Sequence, residues 1–286
     1  MIRYLLVSFF LIAPLQAAKL QVVASFSILA DIVKNIGGEH VEVSAIVGPN
    51  EDAHIFRPTP QTAKMLANAD LVVINGKGFE GWIERLVEAS GYKGDVIVAA
   101  QDVQPLKMED AKVLDPHCWH SVPSVLWYID RILAGLVSLD PDHEADYYQN
   151  FRDYKSRLVL LDMWIREQFE AIPEGDRKFI TAHDAFQYFG ESYGVQVLAP
   201  VGVTTEEEPC AKDVAALIRQ IREEAIKVVF VENISNPRLI TQIANETGAK
   251  LGGTLYSDAL GVEEADTYIK LMRHNVENIV QGCRRQ

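Results

Sequence analysis

Seven histidines are spread along this 286-residue sequence, at positions 40, 54, 117, 120, 143, 183 and 274. Three fall where an apolar run gives way to polar chain. His54 follows Gly48-Pro49-Asn50-Glu51-Asp52, His117 lies in Asp115-Pro116-His117-Cys118-Trp119, and His183 follows Phe179-Ile180-Thr181. Asp258 stands in the same kind of place, after the run from Lys250 to Tyr256. In open α/β sheets, ligands bind beyond the carboxyl ends of strands, so each half of the chain offers two donors at one sheet edge. Imidazole suits zinc, copper, iron and nickel, and the carboxylate oxygen keeps manganese in play. Four protein donors make a filled tetrahedral site, whereas a catalytic metal keeps one position open. The four are distant in sequence, so spacing alone leaves the alternative that each histidine is a hydrogen-bonded structural residue.

The elements that must position these residues alternate between apolar strands and amphipathic helices. Strands are predicted over Leu20–Phe26, Val41–Val47, Leu71–Asn75 and Val96–Ala99, with helices over Ser27–Ile36, Thr59–Ala69, Trp82–Ser90 and Ser124–Leu139. Thr59 reads as a helix cap and Pro60 as the first helical residue. The second half repeats the plan, with strands over Phe179–Thr181, Val195–Leu198, Val228–Val231 and Lys250–Tyr256. Its helices are Ala185–Tyr193, Ala211–Glu224, Pro237–Thr247 capped by Asn236, and Thr267–Gly282. Strands separated by helices imply parallel sheets in an α/β fold. Between the halves, Tyr147, Phe151, Tyr154, Leu158, Leu161, Ile165 and Phe169 recur every three or four residues. That spacing predicts a helix over 141–172, roughly 45 Å long, acting as a stiff connector; two helices with a hidden break are the alternative. The expected organisation is a signal peptide at 1–18, an α/β lobe at 19–140, the connecting helix at 141–172 and a second α/β lobe at 173–286.

A net charge of -13 argues against nucleic-acid binding, and 48% hydrophobic with 23% charged residues is ordinary globular usage. Arg3, the apolar run Leu5–Leu15 and the small residues Ala17-Ala18 form the three-part pattern of a secretory signal. The run is about half the length that a membrane-spanning helix needs. A soluble periplasmic monomer, without a lipid-anchor Cys and without membrane insertion after cleavage, is therefore expected. The three cysteines, Cys118, Cys210 and Cys283, include no CxxC pair, and a Cys210–Cys283 disulfide is left open. Trp82, Trp119, Trp127 and Trp164 are expected in core or interlobe packing. Glu206-Glu207-Glu208 reads as a solvated loop, and Asn75-Gly76-Lys77-Gly78 lacks the full phosphate-binding pattern.

Five segments together resemble the metal-binding proteins of zinc and manganese ABC importers, the zinc-uptake-type or cluster A-I family. They are Asp52-Ala53-His54 through Thr59-Pro60, Asp115 through Trp119, Thr181 through Phe189, Thr204 through Lys212, and Tyr256-Ser257-Asp258-Ala259-Leu260-Gly261. The resemblance implies two α/β lobes joined by a long helix, one metal held by His54, His117, His183 and Asp258, and delivery to an importer's membrane permease. Zn2+ is the expected cargo, with Mn2+ or Fe2+ as alternatives, because a histidine at 183 raises the nitrogen content where manganese-type members often carry Glu. Ala53 replaces the family's usual Pro, and His120 and Val122 depart from its Trp-Leu-Asp/Ser-Pro run. His120 is expected at the surface, with a fifth donor near the metal as the alternative, and Cys118 is expected to pack as a small apolar residue. The long His-rich loop of many zinc-specific members has no counterpart here, which counts against zinc. A metal-stabilised adhesin and a metallohydrolase are the rival functions. The hydrolase lacks an HExxH segment, and four donors leave no open position for water.

Overall fold

The computed structural model describes residues 18–106, 114–206 and 210–284. The signal segment lies outside these residues apart from Ala18, as do Glu207 and Glu208.

Two four-stranded parallel sheets share one topology. The first has the order β2-β1-β3-β4, formed by β1 (Leu20–Phe26), β2 (Val41–Val47), β3 (Leu71–Ile74) and β4 (Asp95–Val98). The second has the order β6-β5-β7-β8, formed by β5 (Lys178–Ile180), β6 (Gln196–Leu198), β7 (Val228–Glu232) and β8 (Lys250–Leu255). Val22 on β1 pairs with Val43 on one side and Leu71 on the other. The inner strands read as near-continuous apolar runs because helices cover both faces. In β8, a Cβ at Gly252 would sit 2.2 Å from the Phe230 ring, so the glycine lets that ring lie against the strand leading to Asp258.

The helices are α1 (Ser27–Gly37), α2 (Pro60–Ala67), α3 (Ile83–Ser90), α4 (Val122–Leu139), α5 (Glu144–Glu170), α6 (Gln187–Tyr193), α7 (Ala211–Glu223), α8 (Arg238–Thr247) and α9 (Tyr268–Arg284). Thr59 caps α2 in a reciprocal box with Thr62, and Pro60 opens the helix. Asn236 accepts a hydrogen bond from the Arg238 backbone, but α8 begins one residue later than expected, so Pro237 and not Asn236 stands at its cap. The connecting helix is unbroken over the 27 residues of α5, about 40 Å, and a short turn at Pro141–His143 precedes it. Tyr147, Tyr154, Leu158, Leu161, Ile165 and Phe169 form its buried stripe against α1, α4, α6 and α9.

One continuous apolar core runs from β1 and α1 through α4 and α5 to α9 and the inner face of the second sheet. A smaller, separate core joins Ile180 and Val229 to Leu217, Ile218 and Ile221 of α7 and Ile240 and Ile243 of α8. α4 has the length and hydropathy of a membrane span, but its apolar face packs in the main core. Two expectations need correction. Trp127 is 53% exposed, outside both cores, because it faces outward on α4. His120 is fully buried, because the turn Cys118–His120 folds inward and stacks its ring on Phe186 at 4.2 Å. All three cysteines are free thiols: Cys210 is exposed, whereas Cys118 and Cys283 are buried.

Candidate metal centre

His54, His117, His183 and Asp258 converge in the cleft between the sheets, each offering one donor atom within 4.8 Å of all the others. All four are buried. His54 lies in the loop after β2, His117 after β4, His183 after β5 and Asp258 after β8. β4 and β8 hold equivalent places in the two sheets, so His117 and Asp258 are topological counterparts; His54 and His183 are not.

Three Nε2 atoms surround one carboxylate. Asp258 Oδ2 lies 3.3 Å from His54 Nε2 and 3.2 Å from His183 Nε2, and Oδ1 lies 3.6 Å from His117 Nε2. His54 and His117 Nε2 are 3.3 Å apart. A tetrahedral zinc with bonds of about 2.0–2.1 Å sets its donors about 3.3 Å apart. His183 Nε2 and both Asp258 oxygens are buried without a hydrogen-bond partner. Bare donors at metal-donor spacing fit a bound divalent cation.

Each histidine segment is anchored by a carboxylate. Asp52 Oδ1 accepts from the His54 backbone N–H at 2.9 Å, and Asp115 Oδ1 accepts from the His117 backbone at the same distance. Asp115 Oδ1 also lies 2.8 Å from His117 Nδ1, which turns Nε2 toward the cleft. Glu232, the last residue of β7, lies 2.5 Å from His183 Nδ1. Such partners fix ring orientation and tautomer. Asp52 and Asp115 belong to the same Asp-x-His pattern, so their role was readable from the sequence although only the histidines were singled out. The signal for Glu232 was weaker: an acid closing the apolar strand Val228–Val231.

The cleft is held across the halves by hydrogen bonds from neutral groups. The Trp119 indole donates to Ser257 O at 2.8 Å, and Asn50 N donates to Leu260 O at 2.9 Å. The Leu260 N–H donates to Ser27 Oγ at 2.9 Å, and the Thr205 hydroxyl donates to Asp52 Oδ2 at 2.6 Å. Trp82 donates to Ala53 O at 2.8 Å, which holds the loop where the family pattern has Pro.

Burial alone would raise the Asp258 carboxyl, but the His183 and His117 imidazoles outweigh it and hold the group well below the usual carboxylate range. Burial alone would lower His183; Glu232 and Asp258 outweigh it and hold the imidazole well above its ordinary value. Metal at Nε2 needs the neutral ring, so protons and metal compete for His183. His120 is not one of the four convergent residues, and neither of its ring nitrogens has a hydrogen-bond partner among the described residues. Burial pushes the Cys118 thiol up to about 11, consistent with an inert packed residue. The Asn75–Gly78 loop has positive φ at Gly76, Lys77 and Gly78, but its Asn75 and Gly76 N–H groups are already filled by the Glu80 carboxylate at 2.6 and 3.1 Å. No anion-binding cradle is left there.

Comparison with known proteins places this geometry. Residues 22–282 match the family model of the periplasmic component A of the zinc-uptake complex, ZnuA. The manganese-binding lipoprotein MntA of Halalkalibacterium halodurans is 36% identical, over 92% of this chain and 88% of its own. The manganese ABC transporter substrate-binding lipoprotein PsaA of Streptococcus anginosus is 30% identical, over 92% and 89%. The solved periplasmic zinc-binding protein TroA of Treponema pallidum superposes with a TM-score of 0.89 at 28% identity, over 94% of this chain and 100% of that one. The expectation of a periplasmic protein without a lipid anchor does not stand, because MntA and PsaA are both named lipoproteins. Residues 1–17, which precede Ala18, lie outside the described residues. The chain belongs to the ZnuA family and is a metal-binding ABC substrate-binding protein, not an enzyme.

Proposed function

We propose that this chain captures one zinc ion through His54, His117, His183 and Asp258 and hands it to the membrane permease of an ABC importer. The observation that carries the reading is the set of three Nε2 atoms around one carboxylate, at 3.2, 3.3 and 3.6 Å. Three nitrogens and one oxygen at that spacing are zinc-like by donor type and geometry. On this reading residues 19–140 and 173–286 are lobes that each supply two ligands, and the helix within 141–172 keeps them in register. The protein acts as a monomer. Release then requires the permease to separate donors that the cross-cleft hydrogen bonds hold together.

Manganese is the second reading, favoured by the names of MntA and PsaA; iron would use the same donors. Metal content of the purified protein, beside Asp258→Ala, together with a zinc–manganese competition titration, tests both. One zinc per chain, lost in the variant and retained against excess manganese, supports zinc. Retention of manganese against zinc would move the cargo to the second reading. No metal taken up by either protein would refute both.

A further inference from the structure

Glu232 is wholly buried, and hydrogen-bond donors converge on both of its oxygens. Oε1 accepts from the backbone N–H groups of Ala182 at 2.8 Å and His183 at 3.0 Å. Oε2 lies 2.5 Å from His183 Nδ1 and accepts from the Ser257 hydroxyl at 2.9 Å. One carboxylate on β7 thus joins the loop bearing His183 to the residue next to Asp258. We propose that Glu232 is the positioning residue that sets which nitrogen His183 presents to the metal and that holds His183 and Asp258 as one preformed half-site. The proposal rests on the ligand set given above.

The chemistry follows from what a carboxylate can do. Ionised, it only accepts hydrogen bonds. His183 must therefore carry its hydrogen on Nδ1, which leaves Nε2 of the neutral ring bare where it faces Asp258 at 3.2 Å. A glutamine at 232 has one accepting oxygen and one donating NH2. With its oxygen toward the Ala182 and His183 backbone, the NH2 meets Nδ1. The ring then accepts at Nδ1 and carries its hydrogen on Nε2, pointing into the metal position. Turning the amide over sets the NH2 against two backbone N–H donors. Neither orientation preserves the half-site. The charge matters as well, since a carboxylate behind a ligating imidazole strengthens it as a donor.

Zinc affinity is measured by competition with a chromophoric chelator on Glu232→Gln, Ser257→Ala and His183→Ala. Ring 15N–1H spectra of the metal-free proteins report the His183 Nδ1–H. Glu232→Gln is expected to weaken zinc about 10- to 100-fold, to lose the Nδ1–H resonance and to keep the parent's far-UV circular dichroism. Ser257→Ala removes one bond to the same oxygen and is expected to weaken zinc about two- to tenfold. Parent-like affinity in Glu232→Gln, with binding abolished in His183→Ala, would overturn the positioning role and leave the ligand set standing. Parent-like affinity in His183→Ala would remove the ligand set and this role with it. Should Glu232→Gln not fold, unchanged affinity in Ser257→Ala would overturn the proposal.

Discussion

Replacing His120 with leucine should flatten the acid limb of the metal-free protein's stability curve. Burial, reinforced by the nearby His117, pushes the His120 imidazole from 6.5 down to about 3. The folded protein therefore keeps this ring neutral where the unfolded chain protonates it. Below pH 6.5 the unfolded state binds more protons, so stability falls as pH falls, and it goes on falling until the folded ring titrates near 3. At about 1.4 kcal/mol per pH unit, this one group costs the parent about 2 kcal/mol between pH 6.5 and pH 5. His183 works in the opposite sense, because its folded value is raised. Its contribution is full below 6.5 and is lost as pH rises through the folded value. It is present in both proteins and cancels in their difference. Leucine fills similar volume against Phe186 and removes two buried, unpartnered nitrogens, worth about 1–3 kcal/mol where a polar group is left unsatisfied. Urea unfolding of both proteins in chelator at pH 7.5, 6.5 and 5 measures the gap, which should open by about 2 kcal/mol over the two lower points. Parallel curves from pH 7.5 to pH 5 would refute the argument.

Other consequences can be checked separately. His117→Ala should weaken zinc binding by orders of magnitude while circular dichroism stays at the parent level; loss of secondary structure would contradict a purely ligating role. The metal-free protein should stay folded in chelator, and metal at a hundred times its Kd should add about 2.7 kcal/mol in thermal or urea unfolding. A chain that unfolds in chelator would favour the adhesin-like structural role. Zinc affinity should fall as pH is lowered, because protons compete for three imidazoles; isothermal titrations in buffers of different ionisation enthalpy should detect protons released on binding. Hydrogen exchange should show protection on loading concentrated in the loops around His54, His117, His183 and Asp258, and wholesale protection of one sheet would contradict a stiff frame.

Much of the fold was legible because its signals are local. Leu20–Phe26 and Val41–Val47 read as strands from their apolar runs, Thr59-Pro60 marked a helix start, and the stripe from Tyr147 to Phe169 marked the long helix. The four convergent residues were legible from strand-end position and from family resemblance together. What escaped depends on non-local packing. Nothing around His120 in sequence says that the turn folds inward onto Phe186, 66 positions away. Glu232 lies 49 positions from His183 and 25 from Ser257, so its place behind the site exists only once β5, β7 and β8 are assembled. Trp127 failed as a core residue because helical spacing gives a face, and the exposed side of α4 can carry an indole as well.

The core has a temporal consequence. α9 follows every other described element, yet its Tyr268 hydroxyl donates to Trp119 O at 2.7 Å and its backbone N–H donates to Asp31 on α1 at 2.8 Å. Leu271, Met272 and Val276 of the same helix are fully buried in the core that also holds Val22 and Ile32. The first sheet, though complete after a third of the chain, therefore waits for the final helix before its packing can close. A chain interrupted before Tyr268 leaves that apolar surface in water, and such products should be captured by chaperones or degraded rather than accumulate as half-built receptors.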